Sequence, residues 1–413
     1  MPAPRGVTVR QSLSPDHIED VRGSTKERLL AAGLRDKLKP GARIAITAGS
    51  RGMGGFVELL AGIADAVRTA GGEPFLIPAM GSHGGAVPEG QTEILNRLGA
   101  SENAVNAPIH ASMDTVLLGT SESGAVAHFD KLAFEADGVI VLGRVKTHPE
   151  SAAELASGLL KMCTIGLGKQ SGAQEAHTHK LWDSVRAVPK LQLAKSKILF
   201  GVAVVENGYR QPVEIEVVPA NYEAFLEADM RLLKIAKTHL GTIPFDRLDL
   251  LVVDEIGKNI SGSGMDLNVI GHWRASNGPQ IPNFHRIAVL SLTHPSLGNG
   301  LGVGLADFTT QRFLDSYDPG VTYINLMTAT EPGGTTREGP LPLALPSDRD
   351  AIEVSLFSAL GGKTPRVCRI RNTGSLEQIW VSEALLPEVK QNAKLSAAGE
   401  PASMTFDANG NLF

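Results

Sequence analysis

Short apolar runs of strand length alternate with segments of helical periodicity along this chain, and no other feature constrains its fold as strongly. The clearest run is GVIVLGRV at residues 138–145, and similar runs occupy residues 43–49, 73–79 and 198–205. Helical spacing of apolar residues follows at residues 57–70, 90–98 and 222–239, with a helix or buried turn at 156–162. This alternation predicts a parallel or mixed sheet covered by helices on both faces.

A second set of elements begins after a proline-containing connection at residues 242–247, which we interpret as a hinge. Strands are predicted at 248–254 and 286–292, and helices at 308–316 and 349–360. The predicted fold class is therefore α/β, with two α/β domains, mixed or parallel sheets and a cleft between them. We expect a first domain that carries the cofactor site (1–244), a second domain that closes over the cleft (245–360) and a C-terminal segment that packs back on the first domain (361–413).

Composition narrows the class of protein. A net charge of -5 gives no basic footprint, so nucleic acid is not an expected partner. No apolar run approaches the roughly 18–20 residues of a membrane-spanning helix, and the first residues lack the apolar core of a signal peptide. Two well-separated cysteines, Cys163 and Cys368, fit a reducing compartment. We expect a cytoplasmic enzyme, and the sequence does not predict its oligomeric state.

The sequence lacks the HExxH, GxSxG and Walker A patterns, so its chemistry has to come from imidazole, amine, guanidinium and carboxylate groups. Ligands of open α/β sheets lie at the carboxyl ends of the strands. Arg51, His83 and His148 each follow a different predicted strand of the first domain. We therefore expect these three residues along one edge of one sheet.

Two glycine-rich segments follow the first two of these strands. AGSRGMGG at residues 48–55 would present backbone N–H groups and Arg51 to a phosphate or carboxylate, although an ordinary turn with a solvated arginine fits equally well. MGSHGG at residues 80–85 surrounds His83 with small residues that leave it open to a ligand. Because imidazole titrates near neutral pH, His83 is a candidate acid or base; the alternative is a loop histidine without a role.

GRVKTHPES at residues 143–151 places His148 just past the clearest strand. Two histidines on either side of one substrate carbon would suit a racemase or an epimerase, whereas a histidine that merely caps the strand is the plain alternative. In the second domain, residues 265–274 hold His272 and Arg274, which would either approach the cleft or belong to a surface loop.

Residues 158–179 contain Lys161, His177 and His179. The apolar neighbours of Lys161 would favour a neutral, nucleophilic amine, although a lysine that extends to solvent is the commoner case. Either histidine could bind a metal through its imidazole. Zinc is not favoured because the usual spacing of Cys and His ligands is missing.

In their order and spacing these residues resemble the nickel-dependent lactate racemase family, which includes related 2-hydroxyacid racemases and epimerases. The intervals are 32 residues from 51 to 83, 65 from 83 to 148, and 16 from 161 to 177. The resemblance spans residues 43–274, and the matching positions are Ser50-Arg51, Gly81-Ser82-His83, His148, Lys161 and His177.

The resemblance implies a nickel-pincer nucleotide as cofactor (pyridinium-3,5-bisthiocarboxylic acid mononucleotide nickel), in which two sulfurs and a ring carbon hold the metal. Hydride would leave the substrate Cα and return to its other face through a 2-keto acid. The implied partners are a small 2-hydroxy acid and the proteins that make the cofactor, without nucleic acid or membrane. The implied roles are bases on opposite faces (His83, His148), cofactor contacts (Lys161, Ser50, Gly81, Gly84), nickel ligand (His177) and substrate contacts (Arg51, Arg274).

Three positions depart from the family pattern. Ala48 stands where an acidic residue is expected, Gly271 replaces a glutamine, and Arg274 replaces a lysine. The changes at Gly271 and Arg274 predict a substrate other than lactate, or larger than it. A conventional metal-dependent epimerase or dehydratase on the same scaffold, and a non-catalytic nucleotide-binding homologue, stay open as alternatives.

Overall fold

The two sheets of this protein belong to two separate units of the chain. The computed structural model describes residues 4–50, 52–147, 155–276, 279–330, 335–359 and 364–412. The N-terminal unit contains Asp16–Thr147 and residues 155–239, and the C-terminal unit contains residues 4–15 and the described residues from Leu240 onward. Each unit has its own buried apolar core on both sides of its sheet.

The N-terminal unit is built on a five-stranded sheet in the order β3-β2-β6-β7-β8. The first four strands of that order are parallel and the last is antiparallel to its neighbour. A separate antiparallel pair, β4 and β5, lies beside it. The strands are β2 (Arg43–Ala48), β3 (Glu73–Pro78), β4 (Thr115–Thr120), β5 (Val126–Asp130), β6 (Gly138–Arg144), β7 (Ile198–Glu206) and β8 (Pro212–Pro219).

Helices follow most of these strands, as expected for parallel strands joined by crossover connections. One stretch changes from α to π geometry at Met162–Leu167 before continuing as α-helix. The helices are α1 (Val21–Ala31), α2 (Leu34–Lys37), α3 (Phe56–Thr69), α4 (Pro88–Arg97), α5 (Glu102–Val105), α6 (Lys131–Glu135), α7 (Leu159–Lys161), α8 (Lys169–Thr178), α9 (Leu181–Lys195) and α10 (Tyr222–His239).

The C-terminal unit has an eight-stranded mixed sheet in the order β12-β11-β10-β9-β13-β14-β1-β15. Its first five strands are parallel, and the other three pair in antiparallel fashion. The strands are β1 (Arg5–Gln11), β9 (Arg247–Val253), β10 (Asn283–Val289), β11 (Phe308–Thr310), β12 (Leu343–Leu345), β13 (Val367–Asn372), β14 (Ser375–Ser382) and β15 (Leu395–Ser403). The helices are α11 (Leu267–Ile270), α12 (Gln311–Asp315), α13 (Pro319–Ala329), α14 (Asp348–Ala359) and α15 (Leu386–Gln391).

The α/β class and the mixed sheets agree with the prediction from sequence, and three assignments do not. Residues 308–316 were expected to form one helix, but Phe308–Thr310 is a buried strand and the helix begins at Gln311. Residues 361–413 were expected to pack on the first domain, but their strands β13 to β15 extend the sheet of the C-terminal unit. Strand β1, also assigned to the first domain, pairs with both β14 and β15 because its backbone completes that sheet. None of the described helices is long and apolar enough to cross a lipid bilayer.

Candidate functional site

The carboxyl edge of the five-stranded sheet brings two of the predicted residues into contact. Ser50 follows β2 and His83 follows β3, and the Ser50 Oγ lies 2.5 Å from His83 Nδ1. The strands β2 and β3 are parallel neighbours, so the loops that leave their carboxyl ends are adjacent. The hydroxyl fixes the orientation of the imidazole, whose Nε2 is its other nitrogen. Arg51 and His148, predicted for the same edge, lie outside the described residues.

A buried side-chain amide binds the backbone of the loop that carries His83. Gln91 of α4 is fully buried, and its Nε2 donates to the carbonyl oxygens of Gly81 (2.9 Å) and His83 (3.2 Å). Gly81 and Gly84 have φ values of +61° and +67°, which side chains other than glycine adopt rarely. A Cβ at Gly84 would also lie 2.5 Å from the backbone of Gly90. The glycines predicted to contact the cofactor therefore have a conformational reason to be there as well.

The segment that carries Lys161 packs directly against these two loops. A Cβ placed on Gly49 would lie 3.3 Å from Met162 Cε, and one on Gly81 would lie 3.1 Å from Ile165 Cγ2. The Lys161 ammonium lies 5.4 Å from the centre of the Trp182 ring, within the range of a cation–π contact. The π-helix at Met162–Leu167, which directly follows Lys161, has a rare geometry that occurs frequently at functional sites.

Helix α8 lies beside the His83 loop, and His177 follows one turn after Ala173, the residue that approaches this loop. Lys169, Ala173 and His177 are spaced four residues apart, so they share one face of the helix. Lys169 Nζ donates to the Pro78 carbonyl oxygen at the end of β3, at 2.5 Å. A Cβ on Gly81 would lie 3.6 Å from Ala173 Cβ. His177 is the next residue along this face and is partly buried.

His179, the other candidate metal ligand, is directed elsewhere. Its Nδ1 lies 3.1 Å from the Glu175 carbonyl oxygen and 3.6 Å from Glu175 Oε2. In the described part of the chain, no three His, Cys, Asp or Glu side chains are grouped closely enough to hold a metal ion. Cys163 is fully buried, and desolvation raises the pKa of its thiol, which keeps the sulfur protonated and unreactive.

The carboxylate of Glu206 is already bound by the glycine-rich loop at residues 48–55. The Gly54 N–H donates to Glu206 Oε1 at 2.5 Å, and Arg144 Nη1 donates to Glu206 Oε2 at 2.8 Å. A Cβ at Gly54 would collide with the Arg210 carbonyl oxygen, because the two backbones are in contact. The predicted use of this loop for a phosphate or carboxylate therefore does not extend to the Gly54 N–H.

Arg274 is a structural residue within the C-terminal unit. Its guanidinium donates to Asp307 Oδ2 (3.1 Å) and to the carbonyl oxygens of Leu305 (2.9 Å) and Phe284 (2.5 Å), and its side chain is 7% exposed. Burial lowers the pKa of Arg274, which the neighbouring Asp307 opposes. A cavity of about 510 Å³ adjoins it, lined also by Trp273 and Arg337. Nearby, His272 Nε2 lies 3.2 Å from Asn268 Oδ1.

A buried ion pair and a buried carboxyl next to the candidate site were not identified from the sequence. Lys169 forms an ion pair with Asp130 at 2.6 Å, and both side chains are 1% exposed. Asp229 of α10 is 2% exposed, and burial raises the pKa of its carboxyl to about 6, although N–H donors from Leu160 and Leu159 oppose the shift. A signal existed for Asp229, because it occupies an apolar-face position four residues after Phe225. The sequence around Lys169 offers no comparable signal.

Comparisons with known proteins add one finding on the fold. No protein-family profile matches the sequence, and no curated protein matches it either. Among solved structures, the lactate racemase apoprotein from Thermoanaerobacterium thermosaccharolyticum superimposes with a TM-score of 0.50 at 12% sequence identity. The match covers 90% of this chain and 99% of that chain. This protein therefore has a lactate racemase-like fold.

Proposed function

We propose that the protein is a racemase or epimerase of a 2-hydroxy acid other than or larger than lactate, working with a nickel-pincer nucleotide. The contact between Ser50 and His83 carries the proposal, because it orients an imidazole at the carboxyl edge, and the segment after Lys161 and Ala173 of α8 pack against the same loops. The lactate racemase-like fold supports the same class of enzyme. The two buried, unpaired cysteines are compatible with action in the cytoplasm.

The residues at this edge fit the proposed cofactor in their chemistry. A pincer that supplies two sulfurs and a carbon to nickel needs one further donor from the protein, and His177 offers an imidazole. A conventional metal site would need about three protein ligands, and the described residues contain no such group. Lys161 would hold the pincer through its amine. Because Gly49 and Gly81 have no side chains, the two loops can lie close to the segment that follows Lys161.

His83 would take the proton of the substrate hydroxyl on one face of the reacting carbon. In the tautomer whose Nδ1–H donates to Ser50 Oγ, Nε2 would be the nitrogen that accepts this proton. His148 would serve on the opposite face and Arg51 would bind the substrate carboxylate. When bound, the pincer group supplies hydride acceptance and return at the substrate Cα. Arg274 is left out of the proposed substrate contacts, because Asp307 and two carbonyl oxygens already bind its guanidinium.

The test is nickel content and intact mass of the full chain after co-expression with a pincer-cofactor biosynthetic system. We expect near-stoichiometric nickel and an added or releasable nucleotide mass. His177→Ala should lose the nickel, whereas the matched control His179→Ala should keep it, because His179 lies against Glu175 instead. His83→Ala should keep the nickel and lose racemisation. Unmodified wild-type mass without nickel, alongside a family member that loads in parallel, would overturn the proposal.

The substrate is tested on the loaded protein by following inversion of single enantiomers of 2-hydroxy acids of increasing size. We expect turnover of at least one larger acid to exceed that of lactate. Inversion of lactate faster than that of every larger 2-hydroxy acid would contradict this part of the proposal.

A further inference from the structure

A buried carboxylate holds the start of the helix that carries Lys161. Asp229 of α10 accepts the backbone N–H of Leu159 on Oδ1 at 2.8 Å and that of Leu160 on Oδ2 at 3.0 Å. The first N–H groups of a helix have no partner within the helix. Asp229 supplies that partner from a different helix, through both of its oxygens, and Lys161 is the next residue in the chain.

The contact is tight as well as bidentate. A Cβ on Gly158 would lie 2.2 Å from Asp229 Oδ1, so the carboxylate occupies the space that a side chain at position 158 would need. Asp229 is itself fixed in the apolar core, among Phe225, Leu232 and Leu159. The turn at residues 158–161 therefore cannot shift relative to α10 without breaking both hydrogen bonds.

Burying a carboxylate for this purpose is costly, and a partly exposed serine or aspartate is the usual way to cap a helix. The same unit uses such caps elsewhere: Asp20 caps α1 through the Gly23 N–H, and Ser101 caps α5 through the Ala104 N–H. Buried carboxylates cap two helices of this unit: Asp130 caps α6 from its own N-cap position through one oxygen, whereas Asp229 reaches the helix whose third residue is Lys161 from a different helix and through both oxygens.

We propose that Asp229 is a positioning residue for Lys161, fixing the turn that places the lysine amine at the carboxyl edge of the five-stranded sheet. This inference rests on the proposed function for its biological meaning, since Lys161 is there the residue that holds the cofactor. Its physical content, the coupling of Asp229 to the position of Lys161, is measurable without any cofactor.

The experiment is amine acetylation of the full chain, expressed without the cofactor system, with the rate read at each lysine by mass spectrometry. Asp229→Ala should raise the rate at Lys161 about fivefold, which corresponds to the free energy of one helix cap. Asp229→Asn keeps one acceptor oxygen and should give a smaller increase. Gly158→Ala disturbs the same contact from the other side and should resemble Asp229→Ala. The matched control Asp20→Ala removes a cap in the same unit and should leave Lys161 unchanged.

Lys169 serves as an internal reporter of general loosening, because its side chain is 1% exposed. A rise at Lys161 with Lys169 unchanged supports positioning. Equal rises at both lysines, or no change at Lys161 in the two variants of the contact, would overturn the inference.

A second arm loads the same variants with the co-expressed cofactor system. Loss of the nucleotide mass in Asp229→Ala, with loading retained in wild type and Asp20→Ala, supports the positioning role. Full loading of Asp229→Ala would overturn it. Failure of wild type to load would count against the proposed function alone, because the acetylation rates still report on the coupling between Asp229 and Lys161.

Discussion

The Lys169 ammonium lies 2.6 Å from the Asp130 carboxylate in a part of the core where both side chains are 1% exposed. The same ammonium donates to the Pro78 carbonyl oxygen at the end of β3. Lys169 also has a φ of +55°, an unusual value for a residue with a side chain. One buried cation therefore links the start of α8 to the ends of β3 and β5, next to the point where the loop of His83 begins.

Breaking this pair should be strongly destabilising. Lys169→Met leaves the Asp130 carboxylate buried without its cation, and we expect a loss of about 3–5 kcal/mol in the free energy of unfolding. Urea unfolding followed by circular dichroism measures it. Asp130→Leu combined with Lys169→Met should recover much of the loss.

The matched control is the exposed pair of Lys190 and Glu122, whose side chains are 42% and 75% exposed. Lys190→Met should lower the free energy of unfolding far less than Lys169→Met does, because solvent screens an exposed ion pair. Equal losses from Lys169→Met and Lys190→Met would show that burial does not decide the strength of these pairs.

The hydrogen bond between His83 and Ser50 should matter for turnover and little for cofactor content. On the proposed function, Ser50→Ala removes the partner of His83 Nδ1, and we expect about a 10–100-fold fall in kcat, as for other groups that orient a functional histidine. Steady-state racemisation and nickel analysis measure the two quantities. Ser82→Ala is the control, since Ser82 is an exposed neighbour in the same loop. Unchanged kcat in Ser50→Ala would remove Ser50 from the mechanism.

Arg274 should prove to be a stability residue. Arg274→Met removes the guanidinium from the carbonyl oxygens of Leu305 and Phe284 and leaves Asp307 with the Ile287 N–H and the more distant Arg286, and we expect a loss of about 2–4 kcal/mol in the free energy of unfolding. Arg337→Gln, which alters an exposed arginine lining the same cavity, should change it by about 0.5 kcal/mol or less. Urea unfolding compares the two variants. A stable Arg274→Met protein with a raised KM would instead restore Arg274 to substrate binding.

The sequence predicted those elements whose burial is uniform. Runs such as residues 138–145 are apolar throughout because both faces of a parallel strand are covered, and they became β6 and its neighbours. Strand β15 contains LSAAGEPAS and is mostly exposed, so nothing in its composition distinguishes it from a loop. Its pairing with β1, almost 400 residues earlier, is a tertiary fact that no local pattern encodes.

The same limit applies to the candidate site. His83 could be proposed because glycines surround it, and His177 because of its spacing from Lys161, and their roles stay predictions. The buried pair of Lys169 and Asp130 was not predicted, since the sequence does not say which charged residues become buried. The sequence likewise did not predict that Arg274 forms an ion pair with Asp307, 33 residues away.

The buried carboxyl of Asp229 should make stability fall as pH rises. Its pKa is about 6 in the folded protein and near 3.8 in the unfolded chain, because burial disfavours the charge. Between these values the folded state binds more protons than the unfolded state, so the stabilising contribution is complete below pH 4 and is lost as pH rises through 6. The free energy of unfolding of wild type, relative to Asp229→Asn, should therefore fall by roughly 2–3 kcal/mol from pH 4 to pH 7.5.

Urea unfolding of both proteins at several pH values across that range gives the difference directly. Ser101→Ala is the control, because it removes a hydroxyl that caps α5 and does not titrate, so its difference from wild type should stay constant with pH. If the difference between wild type and Asp229→Asn is constant as well, the carboxylate titrates as it does in water and is not desolvated. If the difference grows with pH, the two N–H donors of Leu159 and Leu160 outweigh burial, and the ionised cap is the more stable form.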